Sequence, residues 1–484
     1  MMLTFLISLP LLASCFIGLL GAKYTRLIEK TVLLSSVMEL IFVLLLIPTV
    51  VDHGGVETGT LFSLDPLGAF VAFIIALVGF FASLYSVGYL RAEVSKGIIG
   101  PRRVRQYFLF LKLFFFAMFL AVATLNPVVM WIAIEATTLS TAFLISFYNK
   151  PSATEAAWKY LIINSLGLLL SLLGTLLFLA LPELKEGATT WQVLRENATS
   201  MPPLLVKIAF VFVLVGYGTK IGWVPLHTWK PDTYSKAPTP VAALLSSVLL
   251  NVAFLAILRF KGLTDLSLDS NFTGELLVFF GVLSVVFAAL IIFLQKNYKR
   301  LLAYSSIEHA GLLALGFGFG GVGVFAALLH MLYHALGKSL IFFAMGNIFL
   351  KYSSTKMHQV TGVIRTLPLT APVLFIAFIA LLGFPPFGIF TTEFMLLSSG
   401  MEHYLYVVVG ILVALAILFF GFFKHLLALL FGPVPEGITP GESNTLTQWP
   451  IALLMALLLV FSWYIPETLM QLIELAVQSL PLNS

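Results

Sequence analysis

The chain has 484 residues, of which 60% are hydrophobic and only 10% are charged, and its formal net charge is +5. Soluble proteins carry about 25% charged residues, so this composition excludes an ordinary soluble enzyme. The basic residues are too dispersed for a nucleic-acid-binding surface, and no nucleic-acid partner is expected. The single cysteine, Cys15, excludes an intrachain disulfide and any iron–sulfur or nickel–iron centre held by cysteines of this chain.

Apolar runs of 18 or more residues recur along the chain, which predicts an all-α polytopic protein of the cell inner membrane or plasma membrane. A lipid bilayer is therefore the first partner that the sequence implies. We expect fourteen spans, near residues 2–21, 31–50, 65–89, 107–125, 128–148, 156–181, 203–231, 237–260, 274–295, 301–319, 321–350, 367–399, 402–425 and 448–474.

Lysine and arginine are concentrated in the odd-numbered loops between these spans. The even-numbered loops carry few basic residues: Lys185, Arg195, Arg259 and Lys261. By the positive-inside rule, the odd-numbered loops are cytoplasmic and both termini lie outside.

Two spans are interrupted, the seventh at Gly222-Trp-Val-Pro225 and the twelfth at Gly383-Phe-Pro385-Pro386-Phe-Gly388. The breaks are equivalent if spans 4–8 and spans 9–13 are repeats, and five crossings give the two repeats opposite orientations. Paired broken helices of this kind indicate an inverted-repeat transporter with its site near the midplane. Two independent proline kinks are the alternative.

This organisation divides the chain into four parts. Residues 1–106 hold spans 1–3, residues 107–260 the first repeat, residues 261–430 the second repeat and residues 431–484 the fourteenth span.

Glu135 and Lys220 are the candidate charged pair of the first repeat. A lysine near the bilayer centre costs about 2.5–3.5 kcal/mol on insertion scales. A nearby carboxylate lowers the cost of both charges, and proton movement can then open or close the pair. A static buried ion pair is the alternative.

His330, His334 and Lys338 lie on the eleventh span at spacings of four residues, which places them on one helical stripe about 12 Å long. Imidazole accepts and donates protons near neutrality, so the stripe suits a proton relay. A metal site is not expected, because no carboxylate or cysteine lies nearby on this helix as a third ligand. Packing is the other alternative.

The remaining candidates lie near the breaks and the span ends. Glu393 follows the second break and would end the line of charges. Glu308 and His309 form either an entrance group or an interfacial pair. His227 and Lys230 flank the first break as hinge-capping or path residues, and the prolines of the breaks are hinge candidates: Pro225, Pro385 and Pro386.

The segment Lys220-Ile-Gly-Trp-Val-Pro225-Leu-His227-Thr-Trp-Lys-Pro-Asp232, followed by Ala237-Pro-Thr-Pro240, resembles the signature of proton-translocating antiporter-like membrane subunits. This family includes the L, M and N subunits of respiratory complex I, the large subunits of Mrp-type cation/proton antiporters and membrane subunits of group 4 nickel–iron hydrogenases. The resemblance covers residues 60–430 and is strongest to hydrogenase-4 component F, through Tyr304-Ser-Ser-Ile-Glu308-His309 and Leu245-Ser-Ser-Val-Leu-Leu-Asn251.

The resemblance implies a role for each membrane charge. Glu135 and Lys220 would form the input half of a proton path, and Glu393 would be the output residue. The relay between them would be the eleventh-span stripe of His330, His334 and Lys338. The eighth span departs from the family pattern: it has Ser246 and Asn251 where relatives carry lysine or histidine, so bound water would have to carry the proton there.

We therefore expect a proton-translocating subunit with no cofactor or catalytic redox centre of its own. Its partners would be other membrane subunits and a peripheral redox module with iron–sulfur and nickel–iron centres, as in a hydrogenase or formate-hydrogenlyase-type complex. Three alternatives stay open: an Mrp-type Na⁺/H⁺ antiporter subunit, an M/N-like subunit of NADH:quinone oxidoreductase, and a structural membrane anchor.

Overall fold

The computed structural model describes residues 1–180, 189–268, 270–442 and 444–480. This part of the chain forms twenty α-helices and one two-stranded antiparallel hairpin. The first six helices are α1 (Met2–Leu19), α2 (Thr25–His53), α3 (Pro66–Ser95), α4 (Pro101–Ala123), α5 (Pro127–Ile145) and α6 (Pro151–Ala180).

The central helices follow in chain order: α7 (Trp191–Glu196), α8 (Pro203–Ile221), α9 (Trp229–Lys236), α10 (Thr239–Ser247), α11 (Leu249–Ser267), α12 (Phe272–Ile291) and α13 (Tyr298–Phe319). The C-terminal helices are α14 (Val322–Tyr352), α15 (Val363–Thr366), α16 (Thr370–Leu381), α17 (Gly388–Ser399), α18 (Leu405–Phe431), α19 (Thr445–Trp463) and α20 (Glu467–Ser479). The hairpin consists of β1 (Val56–Thr58) and β2 (Phe62–Leu64), which pair in the register Val56↔Leu64.

Helix starts follow the capping chemistry written in the sequence. Asp65 Oδ1 accepts a hydrogen bond from Gly68 N at 2.9 Å, and Asn126 Oδ1 accepts one from Val128 N at 2.8 Å. These bonds satisfy amides that have no partner within the helix. Five long helices also begin with proline, whose missing N–H would be unpaired in the first turn: Pro66, Pro101, Pro127, Pro151 and Pro203.

Within the described residues, twelve helical segments are long and apolar enough to cross a membrane, one of them formed by α10 and α11 together. Two more predicted spans are present in other forms: α13 is long but more polar, and the twelfth span consists of the two short helices α16 and α17. The predicted polytopic all-α architecture is confirmed.

The predicted fourteenth span, 448–474, is wrong as a single helix. The chain leaves helical geometry after Trp463, and Pro466 precedes a separate helix, α20. With 13 residues, α20 is about 20 Å long, too short for a hydrocarbon core of about 30 Å. Its buried side chains, including Leu472 and Ile473, lie on the face that packs against α2 and α3.

The helices divide into a buried centre and an outer layer. In α3, in the α10–α11 segment and in α14, most side chains are buried within the chain, whereas α1, α2, α6, α18 and α19 expose most of theirs. The centre therefore keeps polar groups away from lipid, and most of the candidate charged residues lie on or beside it.

Both helix breaks have the same local geometry. The segments α8 and α16 are each followed by a glycine with positive φ, Gly222 at 81° and Gly383 at 65°. The amide after each glycine then bonds back five residues, Trp223 N to Gly218 O at 3.2 Å and Phe384 N to Ile379 O at 3.3 Å. This is the Schellman arrangement, in which glycine adopts the left-handed conformation without steric cost. The peptide bonds Val224–Pro225 and Pro385–Pro386 are cis.

Two of the basic residues assigned to even-numbered loops, Arg259 and Lys261, lie on a helix in the structure. Lys185 lies outside the described residues. Arg259 and Lys261 lie on α11, which extends farther than the predicted eighth span. Arg259 pairs with Asp65 at 2.8 Å, and Lys261 pairs with Asp265, so neighbouring carboxylates offset both charges.

Gly216 lies where α8 packs closely against α6. A Cβ atom on Gly216 would lie 2.5 Å from Ser171 N and 2.6 Å from Gly167 O. We predict that Gly216→Val forces the helices apart and destabilises the chain by about 1–3 kcal/mol, as overpacking does. Thermal unfolding of the detergent-purified chain measures this.

Gly410→Val on α18 is the matched control. Gly410 is also inside a helix, but a Cβ atom there meets no described atom within 4 Å. Equal melting temperatures for the two variants would contradict the close contact between α6 and α8.

Candidate functional site

Lys220 is buried in the last turn of α8, with 2% of its surface exposed. Its Nζ donates hydrogen bonds to Thr138 Oγ1 at 2.7 Å and to Tyr160 Oη at 2.9 Å. A cation at this position also interacts favourably with the negative end of the helix dipole. The ammonium is therefore held by hydroxyl groups of α5 and α6 and by its own helix.

Glu135 is linked to Lys220 through Thr138. The Thr138 hydroxyl donates to Glu135 Oε2 at 3.1 Å while it accepts from Lys220, and Ser165 Oγ donates to Glu135 Oε1 at 2.7 Å. The sequence predicts Glu135 and Lys220 as a candidate charged pair. Among the described residues they do not form an ion pair within 4.0 Å. A hydroxyl that donates to one group and accepts from the other takes the place of that contact.

The carbonyls freed by the first break receive donors from the segment beyond it. Trp229 Nε1 donates to Thr219 O at 2.9 Å, and Lys230 Nζ donates to Ile221 O at 2.7 Å. Lys230 is 1% exposed, so its ammonium lies inside the protein. Of the two roles expected for Lys230, hinge-capping is directly visible.

His227 lies in the connection between α8 and α9. Its ring packs edge-on against Phe287, with centroids 4.7 Å apart, and its backbone carbonyl accepts from Lys230 N at 2.9 Å. The side chain thus anchors the connection on α12, whereas Pro225 beside it is exposed. Pro385 and Pro386 at the second break are exposed as well.

Lys230 also reaches toward the second half of the chain. Its Nζ lies 3.5 Å from Ser306 O on α13, and it is close enough to Lys338 for the two charges to interact. The Ser306 hydroxyl donates to Leu302 O at 2.9 Å, and Lys338 Nζ lies 3.5 Å from the same carbonyl. The two lysines are therefore connected through one turn of α13.

The eighth span contributes hydroxyl groups to this connection. Ser246 Oγ lies 2.6 Å from Ser306 Oγ, and Ser247 Oγ accepts from Ser339 Oγ at 3.1 Å. Asn251 donates to Ser247 O at 2.9 Å and is otherwise turned into the core. Ser246 thus contacts α13, and its neighbour Ser247 contacts α14.

His330, His334 and Lys338 are fully buried on α14. The neighbouring helix α13 adds His309, whose Nδ1 lies 3.0 Å from His330 Nε2. The ring of His334 lies 4.9 Å from that of His309, centroid to centroid. The three imidazoles therefore form one cluster shared by two helices.

The tautomer of His330 follows from its second contact. The Thr392 hydroxyl donates its single proton to Ile389 O at 2.9 Å, so it accepts from His330 Nδ1–H at 2.9 Å. The Nε2 atom of His330 then carries a lone pair, and it accepts from His309 Nδ1–H. Thr392 belongs to α17, so this bond fixes the helix after the second break to the cluster.

Glu393 on α17 joins the cluster from the same side. One ligand-type atom each from His309, His330 and Glu393 lies within 4.8 Å of the other two. The carboxylate also touches Gly383, where α16 ends. The structure thus brings the predicted last residue of the line to the first histidine of the stripe.

Glu308 lies inside the protein, with 4% of its surface exposed, and interacts electrostatically with Lys338. His309 beside it is fully buried. The helix α13 begins at Tyr298, which places both residues nearly three turns inside the helix.

The N-terminal helices contain a buried ion pair that was not predicted from the sequence. Lys112 Nζ on α4 donates to Glu39 Oε1 on α2 at 2.9 Å and to Ser36 Oγ at 2.8 Å. Both residues lie inside predicted spans, and a charged residue within an apolar span is the sequence feature that could have indicated the pair. Another buried carboxylate, that of Glu93 on α3, accepts from Tyr148 Oη at 2.5 Å.

Comparison with known proteins places these features in a family. Residues 124–419 match the family model described as NADH:quinone oxidoreductase/Mrp antiporter, transmembrane. A hydrogenase-4 component F homolog of Methylacidiphilum infernorum is 40% identical over 350 residues, which are 71% of this chain and 74% of that protein. The NADH-quinone oxidoreductase subunit N of Desulforudis audaxviator is 28% identical over 82% of this chain and 79% of that protein.

A solved structure has the same fold over nearly the whole chain. It belongs to a membrane-bound sulfane sulfur reductase, an archaeal respiratory membrane complex. The TM-score is 0.88 at 24% sequence identity, with 99% of this chain and 97% of that chain covered. At this identity the likeness concerns the fold alone.

The Glu39–Lys112 pair provides a test of how tightly a buried charge depends on its partner. We predict that Lys112→Met or Glu39→Gln alone lowers stability by about 3–5 kcal/mol, because each leaves one membrane-buried group without its counterpart. The double variant should lose much less than the sum of the single losses. A double-mutant cycle on the thermal stability of the purified chain measures the coupling.

The exposed pair Glu155–Lys159 on α6 is the matched control, and its cycle should show no measurable coupling. Additive losses at Glu39 and Lys112 would mean that the buried pair is not a coupled unit.

Proposed function

Because the chain belongs to the NADH:quinone oxidoreductase/Mrp antiporter transmembrane family, we propose that it translocates protons as a membrane subunit of an energy-converting complex. The observation that carries the proposal is the series of polar groups from Glu135 to Glu393, in which both ends are half-buried and the lysines and histidines between them are buried. Each proton moved against 100 mV costs about 2.3 kcal/mol. We propose that a partner supplies this energy, because the single cysteine of this chain cannot hold an iron–sulfur or nickel–iron centre.

The input half of the proposed path consists of Glu135, Thr138 and Lys220. A proton on Glu135 neutralises the carboxylate and weakens its hold on the Thr138 hydroxyl. Thr138 can then rotate toward other acceptors, which changes the environment of the ammonium of Lys220. The separation by one hydroxyl allows either group to change its protonation without breaking a close ion pair.

The central step of the proposed path is Lys230. It is the titratable group that contacts both the end of α8 and Ser306 on α13, and it faces Lys338. The hydroxyl groups of Ser246 and Ser306 lie beside it and can donate and accept protons in turn. Lys230 therefore supplies the titratable step that the eighth span lacks, and Asn251 has at most a supporting part.

The output half consists of Lys338, the three imidazoles and Glu393. Lys338 interacts with Glu308 and adjoins His334, and the bond from His309 to His330 leads to α17. Imidazole passes a proton by accepting at one nitrogen and donating at the other. Glu393 at the end of this series is the proposed exit.

The proposed architecture consists of two inverted repeats, residues 107–260 and residues 261–430, flanked by residues 1–106 and 431–484. The matching Schellman ends at Gly222 and Gly383 support this division. We place the odd-numbered loops in the cytoplasm and both termini outside, as the distribution of basic residues suggests.

The partners proposed for this chain are other membrane subunits and a peripheral redox module. The relative with 40% identity is a hydrogenase-4 component F homolog, which favours a module with iron–sulfur and nickel–iron centres. Co-purification in mild detergent identifies it: nickel–iron subunits support a hydrogenase-type complex, and a flavin–NADH module assigns the chain to an NADH:quinone oxidoreductase.

Sodium/proton exchange is the second candidate function, because the family description includes the Mrp antiporters. Such exchange requires no electron donor. Sodium-dependent proton movement in membrane vesicles without donor and acceptor would favour it over redox-driven translocation.

We predict that Lys220→Ala and Glu135→Gln each slow redox-driven proton translocation by about tenfold or more, a barrier increase of at least about 1.4 kcal/mol. The reason is that each removes a titratable group from the input half. Quenching of a pH-sensitive dye in inverted membrane vesicles measures the rate, and native gels and electron transfer to a soluble acceptor measure assembly.

Lys207→Ala is the control on the same helix. Lys207 lies near the start of α8, where its ammonium rests over the ring of Phe272. Translocation at the wild-type rate in fully assembled Lys220→Ala and Glu135→Gln complexes would favour a structural anchor and end the proposed mechanism.

A separate prediction concerns Lys230. Lys230→Met should abolish both the cap of Ile221 O and proton transfer, whereas Lys230→Arg restores a donor that does not deprotonate. We expect Lys230→Arg to assemble and to melt near the wild-type temperature, yet to translocate at least about tenfold more slowly. A wild-type rate in Lys230→Arg would show that Lys230 acts only as a cap.

A further inference from the structure

Three helices direct metal-ligand atoms toward one point in the second half of the chain. His309 comes from α13, His330 from α14 and Glu393 from α17, and one ligand atom from each lies within 4.8 Å of the others. The ligand atoms of a tetrahedral zinc ion are about 3.3 Å apart, as zinc–nitrogen bonds of about 2.0 Å require. The His309 and His330 nitrogens, at 3.0 Å, are already near that separation.

The free lone pairs of the cluster fit metal ligation. His330 donates from Nδ1 to Thr392, so its Nε2 lone pair points to His309. Histidine ligands commonly donate their second ring N–H to such an outer group, which fixes the ring. Among the described residues, both ring nitrogens of His334 have no hydrogen-bond partner, although the side chain is fully buried.

Glu393 adds charge to the cluster. Its carboxylate forms no hydrogen bond or ion pair with any described side chain, and it lies against Gly383 at the C-terminal end of α16. A carboxylate is disfavoured there, because the carbonyl end of a helix carries partial negative charge. Glu308 lies close enough to interact with it, so two carboxylates can offset the charge of a dication.

We propose that His309, His330 and Glu393 form a binding site for a divalent transition-metal ion of the zinc class, with His334 beside it as a possible fourth ligand. Two imidazoles and one carboxylate suit zinc and its neighbours, whereas Mg²⁺ and Ca²⁺ prefer oxygen ligands. The third ligand, which the sequence of α14 does not contain, comes from Glu393 on α17.

Binding has a consequence for the helices and for the proton shared by the histidines. The ion takes one lone pair from each of His330 and His309, so the hydrogen bond between these rings is replaced by bonds to the metal, and each neutral imidazole keeps its proton on the nitrogen that does not bind. The ion also ties α17 to α13 and α14. Metal binding itself does not depend on the proposed function. If the cluster conducts protons as proposed, bound metal blocks the output half.

Metal binding is measured on the full chain, purified with any subunits that accompany it, stripped with a chelator and dialysed against ZnCl₂. We expect about one tightly bound zinc ion per chain. Glu393→Gln and His309→Asn should each weaken binding by about tenfold or more. X-ray absorption at the zinc edge should show nitrogen and oxygen ligands.

His425→Asn is the control, because His425 on α18 bonds Ile292 O at 3.2 Å, away from the cluster, and should leave zinc binding unchanged. Melting curves verify that every variant is folded. Failure of the wild type to bind zinc, or wild-type binding by both cluster variants, overturns the proposal. Proton translocation in the Lys220→Ala complex tests the proposed function separately, so the two failures are distinguishable.

Discussion

A helix that ends inside a membrane leaves backbone carbonyls that lipid cannot satisfy. The end of α8 meets this constraint with two donors, since Trp229 Nε1 bonds Thr219 O and Lys230 Nζ bonds Ile221 O. The chain must therefore fold back beneath α8, and in doing so it carries an ammonium into the centre of the protein. The position of Lys230 between the two halves follows from the need to cap this helix.

The chain buries its charges in two different ways. Glu39 and Lys112 touch directly at 2.9 Å, and in a low dielectric such a pair is strongly held once formed. Glu135 and Lys220 are instead joined through the Thr138 hydroxyl. The mutual stabilisation of separated charges is weaker, so the protonation of either one changes at a smaller free-energy cost. The direct pair suits a structural role, and the bridged pair suits transfer.

The spans, both breaks and the stripe on α14 could be predicted because each depends on a local pattern of polarity, proline or spacing. The Thr138 bridge, the contact of His309 with His330 and the approach of Glu393 could not, because they join helices far apart in sequence. The predicted extent of the fourteenth span was wrong for a local reason. Hydropathy averages over residues and does not register the helix-breaking effect of Pro466, which separates α19 from α20. Glu39 and Lys112 could have been predicted as a pair, because both are charged residues within predicted spans.

The two breaks place opposite charges in similar positions. Beyond each glycine, a charged side chain folds back onto the end of the preceding helix, Lys230 onto Gly222 and Glu393 onto Gly383. The ammonium is favoured at a helix C-terminus and the carboxylate is not. At the first break, Lys230 therefore offsets the partial negative charge of the end of α8. At the second break, a proton or a cation on Glu393 is needed to offset the negative charge. This difference gives the proposed path a direction, from the ammonium that is held at the first break to the carboxylate at the second break that must acquire a positive charge.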